Sequence, residues 1–309
     1  WNDLARLPIY LAWGAGILLF GSFCRKHLPF LLCAAAAATA AICFCRPAAA
    51  PAGEILSAAG GEVKVPVIMY HSILKEQKRQ GKYVLSPGTL ESDIQYLRGR
   101  GYKTISVAEL VSHVSYGTPL PAKPAMLTFD DGYYNNYLYA FPIAKEYNAK
   151  MVIAPVGYYT DLFTKSDADH ANYSHLTWPE ISEMMASGLV EFQNHSYNLH
   201  ALGARKGASR KRGESVDAYA AVLQKDVGRM QSEMQDKTGY TPIAFVYPYG
   251  ASSPVSDQIL KKMGFRATFL CTEKINVITR DPECLYSLGR FLRPSGISSG
   301  AYFRKIGLA

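Results

Sequence analysis

The sequence is short of cysteine, and none of its six cysteines is spaced as a metal-binding pair. Four of them lie in or beside two apolar segments at the front of the chain: Cys24, Cys33, Cys43 and Cys45. Because no C-x-x-C pair occurs, we do not expect a zinc site built from cysteines. The two remaining cysteines, Cys271 and Cys284, could pair as one disulfide in an oxidising compartment.

Charged residues are also few, at 19% of the 309 residues, whereas 49% are apolar. This balance excludes a disordered protein, and the length is sufficient to bury a sizeable core. Residues 54–309 contain 29 basic and 24 acidic residues, which gives a net charge of +5. Such a small and dispersed excess does not indicate a nucleic-acid partner.

Long apolar runs are absent after residue 46, which argues against a transport protein, but two runs precede it, at 7–23 and 28–45. Each is close to the length that crosses a bilayer core of about 30 Å. The second follows the basic cluster Arg25-Lys26 and precedes a Pro/Ala-rich stretch that ends at Gly53, as in a secretory signal or signal anchor. We therefore predict that residues 1–53 contact the membrane and that 54–309 form an extracytoplasmic domain. Whether 7–23 is a true span, and whether the segment is cleaved, stay open.

Beyond Glu62, short apolar runs alternate with longer amphipathic stretches. The apolar runs predict strands at 65–70, 103–106, 125–129, 150–156, 190–193, 243–247 and 267–271. The amphipathic stretches predict helices at 87–99, 107–114, 137–147, 178–187, 215–237 and 255–263. Strands interleaved with helices indicate an α/β fold with a mainly parallel sheet. We predict a distorted (β/α) barrel of about seven parallel strands, without an obligate protein partner.

Polar residues follow four of the predicted strands: His71, Asp130-Asp131, Asn194-His195 and Tyr247-Pro-Tyr-Gly250. Parallel barrels carry their functional side chains at the carboxyl ends of the strands, so these residues are active-site candidates. Side chains alternate along a strand, which predicts different tasks for Asp130 and Asp131. An ordinary acidic turn is the alternative interpretation.

His195 and His200 are five residues apart, which requires a strand end or a turn between two imidazoles that share one ligand. Together with one carboxylate they form a set of two nitrogens and one oxygen, which suits zinc or a similar divalent ion. Two surface or core histidines without a ligand are the alternative.

Thr128-Phe-Asp-Asp-Gly132, His195-Ser-Tyr-Asn-Leu-His200 and Tyr247-Pro-Tyr-Gly250, in this order, resemble the motif series of the polysaccharide deacetylases, the NodB-homology or carbohydrate esterase family 4 group. The resemblance covers about residues 65–295. The opening Pro66-Val-Ile-Met-Tyr-His71 resembles the branch that acts on poly-N-acetylglucosamine at cell surfaces.

The resemblance implies a role for each matching residue. Asp131, His195 and His200 would hold a divalent metal, foremost Zn²⁺, with Co²⁺, Ni²⁺ or Mn²⁺ as alternatives. Asp130 would be the base that takes a proton from the attacking water, and the backbone N–H of Tyr249 would stabilise the oxyanion. His71 would be the acid that protonates the leaving amine. Sugar contacts are expected from a further set: Tyr133, Tyr134, Tyr197, Tyr247 and Arg290.

The chain departs from the family pattern at two positions. Val246 stands where many members have an arginine, two residues before the proline of the third motif. The late Leu-x-His motif that usually supplies the acid is absent, and Leu288-Gly-Arg290 and Phe291-Leu-Arg293 are found instead. The implied activity is removal of N-acetyl groups from an amino-sugar polymer. An O-acetyl carbohydrate esterase and a glycan-binding pseudoenzyme are the alternatives.

Overall fold

The computed structural model describes residues 55–56, 61–166 and 169–308. Within these ranges there are fourteen strands, most of them two to five residues long. In chain order they are β1 (Ile55–Leu56), β2 (Val63–Val65), β3 (Val67–Tyr70), β4 (Ser72–Ile73), β5 (Val84–Leu85), β6 (Lys103–Thr104), β7 (Leu120–Pro121), β8 (Pro124–Asp131), β9 (Met151–Pro155), β10 (Val190–Phe192), β11 (Ala244–Val246), β12 (Ala267–Phe269), β13 (Asn276–Ile278) and β14 (Phe291–Leu292).

Eight α-helices accompany the strands in the described part of the chain. They are α1 (Pro87–Gly99), α2 (Val107–Tyr116), α3 (Phe141–Tyr147), α4 (Gly157–Ser166), α5 (Trp178–Ala186), α6 (Val216–Thr238), α7 (Ser256–Lys262) and α8 (Ser299–Lys305). Side chains cap several of the helix starts: Ser106 and Glu109 form a reciprocal capping box at α2, as do Thr177 and Glu180 at α5. Helix α6, predicted at 215–237, buries one apolar face: Tyr219, Leu223, Val227, Met230 and Met234.

Seven parallel strands form a ring. The continuous part of the sheet has the order β10, β9, β8, β3 and β14. A parallel bridge between Asn194 and Phe245 joins β10 to β11, which pairs with β12. A second bridge, from Phe269 to Leu288, leads back to the segment before β14. The arrangement fits the predicted (β/α) barrel with about seven parallel strands, and the single-bridge joints account for its distortion.

Strand β8 pairs with β3 on one side and with β9 on the other, and all eight of its residues are buried. Met126 belongs to an apolar cluster that also contains Val67, Val246 and Leu288. Leu127 and Phe129, whose positions have the opposite parity, belong to a second cluster with residues of α1, α3, α5 and α8. Alternation along β8 therefore places Asp130, like Met126, on the inner face of the barrel.

The structure differs from the predicted elements at a few positions. Pro66 interrupts the strand predicted at 65–70, because proline lacks the N–H that a ladder requires. Helices α4 and α8 are not predicted, nor are the short strands β1, β4, β5, β7, β13 and β14. No helix in the described residues is long and apolar enough to span a bilayer. The spans predicted at 7–23 and 28–45 lie outside the described residues, and the 1–53 and 54–309 division stays a prediction.

Candidate active site

The carboxyl ends of the barrel strands surround a cavity of about 710 Å³. Its wall contains most of the residues that the sequence motifs single out: His71, Asp130, Asp131, His195, His200 and Tyr249. These residues come from β3, β8, β10 and β11 or the loops that follow them. The barrel therefore brings together residues that are up to 178 positions apart in the sequence.

Asp131, His195 and His200 form the one cluster of metal-ligand type found in the described residues, with ligand atoms within 4.8 Å of one another. Asp131 Oδ1 lies 3.0 Å from Nε2 of His200 and 3.6 Å from Nε2 of His195. This oxygen is buried, yet no donor in the described residues is aligned to hydrogen-bond with it. A buried carboxylate oxygen that faces two imidazole nitrogens without a hydrogen bond fits a divalent metal ion.

The backbone of Asp131 explains how its carboxylate reaches the histidines. Alternation along β8 would point this side chain away from the barrel interior, but Asp131 has φ of 70° and leaves the extended conformation. Gly132 follows with φ of 69°, and a Cβ there would lie 2.5 Å from Pro155. Both carboxylates therefore line the same cavity, but Asp131 faces the two histidines whereas Asp130 faces Arg290.

The loop between the two histidines is held by hydrogen bonds to its backbone. Asp226 on α6 accepts from the N–H groups of Tyr197 (2.9 Å) and Asn198 (3.0 Å). His195 donates from Nδ1 to the carbonyl of Val246 at 2.7 Å, so in the neutral imidazole the lone pair lies on Nε2, the nitrogen that faces Asp131. His200 Nδ1 contacts the hydroxyl of Tyr249 at 3.1 Å.

Asp130 is paired with Arg290 in the barrel interior. The guanidinium contacts both carboxylate oxygens, at 2.6 and 2.8 Å, and both side chains are almost completely buried. Burial is the largest single influence and raises the pKa of Asp130, but the charge and hydrogen bonds of Arg290, together with His195 and His71, lower it by more, so the pKa lies below its usual value. Asp130 is therefore ionised, and it is not one of the three residues that form the metal-ligand cluster.

His71 lies beside Asp130, with Nε2 4.0 Å from Asp130 Oδ2. Its Nδ1 is buried and has no hydrogen-bond partner in the described residues, and its ring packs against Tyr83. Burial lowers the pKa of His71, and the charges of Asp130 and Asp131 oppose this effect. The imidazole is thus available at the cavity rather than tied into the core.

The expected sugar contacts are distributed differently from the prediction. Tyr133 lines the cavity. The other four do not line it: Tyr134, Tyr197, Tyr247 and Arg290. Tyr247 and Arg290 are completely buried, with Tyr247 bonded to Asp257 and Arg290 to Asp130. Tyr197 donates its hydroxyl to Asp161.

Several cavity residues carry no signal in the sequence motifs. They are Lys82, Tyr83, Leu202, Lys206, Cys271, Glu273 and Leu292. Tyr83 follows the opening Pro66–His71 motif by 12 residues, and its aromatic type was the sole signal available. The suggested disulfide is wrong, because Cys271 and Cys284 are both free thiols and Cys271 lines the cavity.

Comparisons with known proteins agree with this geometry. The polysaccharide deacetylase family model matches residues 117–268. A poly-β-1,6-N-acetyl-D-glucosamine N-deacetylase of Escherichia coli K12 is 29% identical over 224 residues, 65% of this chain. The chain spans only about a third (33%) of that protein's length. A protein of the same name from Staphylococcus epidermidis is 27% identical over 220 residues, 71% of this chain and 72% of that one.

A solved structure of a de-N-acetylase from Aggregatibacter actinomycetemcomitans superposes with a TM-score of 0.67 and 29% identity. The match covers 79% of this chain and all of that one (100%). Motifs, barrel, cavity and relatives point to the same family. The chain contains a domain of the polysaccharide deacetylase family.

Proposed function

We propose that this domain is a metal-dependent hydrolase that removes N-acetyl groups from N-acetylglucosamine residues of a cell-surface polysaccharide. The observation that carries the proposal is the cluster of Asp131, His195 and His200 beside Asp130, an ionised carboxylate in the same cavity. The names of the E. coli and S. epidermidis relatives support a β-1,6-linked polymer as the substrate class.

In the proposed mechanism, Asp131, His195 and His200 hold a divalent ion, most readily Zn²⁺, with Co²⁺, Ni²⁺ or Mn²⁺ as alternatives. When bound, the ion acts as a Lewis acid that polarises the acetamido carbonyl and lowers the pKa of water. Asp130 takes the proton of the attacking water, and Arg290 keeps its carboxylate ionised and oriented for this step.

Collapse of the tetrahedral intermediate requires a proton for the departing amine. His71 Nε2 lies 4.0 Å from Asp130 Oδ2, so the proposed acid and the proposed base stand side by side at the cavity. The lowered pKa of His71 makes its imidazolium a readier proton donor than an ordinary histidine. The backbone N–H of Tyr249, at the rim of the cavity, donates to the oxyanion.

The two departures from the family pattern have a common explanation in this proposal. Val246 offers no guanidinium to the base, but Arg290 reaches Asp130 from the position where the late Leu-x-His motif has its histidine. The acid is then supplied by His71 from the other side of Asp130. Arg290 thus occupies the position of the family's late histidine, and the acid is supplied by His71 after β3 instead.

The substrate enters a cavity with an aromatic and a basic wall. Tyr83 and Tyr133 offer ring faces to a sugar, and Lys82 and Lys206 offer donors to its hydroxyl and carbonyl oxygens.

We further propose that the domain acts outside the cytoplasm and that residues 1–53 attach it to the membrane.

Acetate release tests the proposal directly. The full chain, loaded with Zn²⁺ or Co²⁺, should release acetate from β-1,6-linked N-acetylglucosamine oligomers, and a chelator should stop the reaction. Addition of the metal should restore it. Absence of release from this oligomer, from chitin oligomers and from peptidoglycan fragments would refute the N-deacetylase assignment. Release from acetylated xylan alone would identify an O-acetyl esterase.

A further inference from the structure

The turn that carries Asp131 is clamped by residues 174–176, which belong to none of the catalytic motifs. The N–H of Tyr134 donates to the carbonyl of Ser174, and the N–H of Leu176 donates to the carbonyl of Gly132, both at 2.8 Å. Tyr133 and His175 form an antiparallel bridge between these bonds. Residues 174–176 therefore pair with the turn in the manner of a short antiparallel strand.

His175 adds a side-chain bond to this clamp. Its Nδ1 lies 3.0 Å from the backbone carbonyl oxygen of Asp131. A carbonyl oxygen only accepts, so Nδ1 carries the proton and donates it. The other N–H that reaches this oxygen, from Val156, is more distant at 3.4 Å. His175 thus provides the shorter of the two bonds that hold the carbonyl.

Aromatic rings fix the direction of this imidazole. His175 is 8% exposed and stacks on Tyr159, with centroids 4.5 Å apart and planes 16° apart. Phe163 stacks on it at 5.5 Å, and Tyr133 packs at 4.8 Å. A ring held by three aromatic neighbours cannot turn its donor away from Asp131 without disrupting these contacts.

The bond matters because the conformation of Asp131 is strained. A left-handed backbone is unfavourable for a residue that carries a Cβ, and Asp131 adopts this conformation with φ of 70°. Relaxation to an extended conformation would direct the carboxylate to the outer face of β8, away from His195 and His200. Contacts outside the turn must therefore maintain it.

We propose that His175 is a positioning residue for the metal site, holding the backbone of Asp131 so that its carboxylate stays aimed at His195 and His200. The inference rests on the proposed metal site but is independent of the proposed substrate. Residues that orient a ligand typically change metal affinity about 10–100-fold when they are replaced.

Two substitutions separate the donor from the ring. His175→Phe keeps a flat ring for stacking but removes the donor, whereas His175→Asn places an amide N–H near the former Nδ1. His113 on α2 provides the matched control. It is also buried, and its Nδ1 donates to the carbonyl of Thr118 at 2.8 Å. Co²⁺ affinity is measured by competition with a fluorescent chelator, alongside the Tm of the metal-free full chain.

We expect His175→Phe to weaken Co²⁺ binding about 10–100-fold and His175→Asn to recover most of the affinity. His113→Phe should lower the Tm without changing Co²⁺ affinity. If the Phe variant does not fold, His175→Asn and His175→Leu, which are similar in size, give the same comparison. Unchanged affinity in a folded donor-free variant would overturn the inference, as would an equal loss in His113→Phe. A wild-type chain that binds no Co²⁺ would refute the metal site itself.

Discussion

Two arginines three residues apart, Arg290 and Arg293, make buried ion pairs in two different regions of the molecule. Arg290 extends into the barrel and contacts both oxygens of Asp130. Arg293 packs outside it and contacts both oxygens of Asp93 on α1, at 2.9 and 3.1 Å. Neither guanidinium is exposed by more than 1%. The surroundings of the two carboxylates, however, are different.

The Asp93–Arg293 pair is surrounded by further hydrogen-bonding groups of the protein. Asp93 also accepts from the hydroxyl of Tyr70, and Arg293 donates two further N–H groups to the carbonyls of Pro294 and Ile297. Burial raises the pKa of Asp93 despite Arg293, whereas Arg290 lowers that of Asp130. Asp130 also faces His71 and the cavity. The comparison indicates that the Arg293 pair joins the segment after β14 to α1, while the Arg290 pair places a carboxylate at the cavity, as the proposed mechanism requires.

The largest expected difference between the two pairs is in turnover. Asp130→Asn removes the proposed base and should lower acetate release about 10³-fold, within the range for general-base catalysis. Asp93→Asn should leave kcat nearly unchanged. Both rates are measured at a temperature at which both variants are folded, as judged by circular dichroism. Retained turnover in Asp130→Asn would contradict the assignment of the base.

Replacement of either arginine should lower the free energy of unfolding by a similar amount. Arg290→Met and Arg293→Met each leave a buried carboxylate without its partner, which costs about 3–5 kcal/mol. Urea unfolding of the metal-free chain measures this loss. Only Arg290→Met should also reduce kcat, because the pKa of Asp130 then rises. If Arg293→Met reduced kcat equally, the separation of the two pairs would not hold.

A further carboxylate, the half-buried Glu191 on β10, sharpens the comparison because N–H groups rather than an arginine contact it. It accepts from the N–H groups of Val107 and Ala108 at the start of α2. Burial raises its pKa to about 7 from an ordinary value of 4.5. The folded state therefore holds this proton more tightly than the unfolded state, so stability decreases as the pH rises from about 4.5 to about 7.

This effect is the smallest of the three, at most about 3 kcal/mol across that window. Glu191→Gln should flatten the pH dependence of the free energy of unfolding between pH 4.5 and 7 relative to wild type. Urea unfolding at several pH values in this range measures it. Identical pH profiles for the two proteins would argue against a raised pKa at Glu191.

Much of the fold was accessible from the sequence where the elements are long. The stripe of α6 and the helix at 87–99 were predicted because several turns of periodic side chains average out local exceptions. Strand β14 was missed, since two residues carry no alternation, and yet it positions Arg290 and Arg293. For the sugar contacts, residue type alone could not separate Tyr133 on the cavity wall from Tyr247 in the core.

By itself, the sequence determined which chemical groups are present: two adjacent carboxylates, two histidines five apart and an early histidine, all placed after apolar runs. The tertiary structure decided what each group faces. It brings Asp131 toward the histidines through a positive φ, and it gives Arg290 rather than Arg293 to Asp130. These choices depend on backbone torsion and on which side of a strand faces the barrel interior, and residues distant in sequence set both.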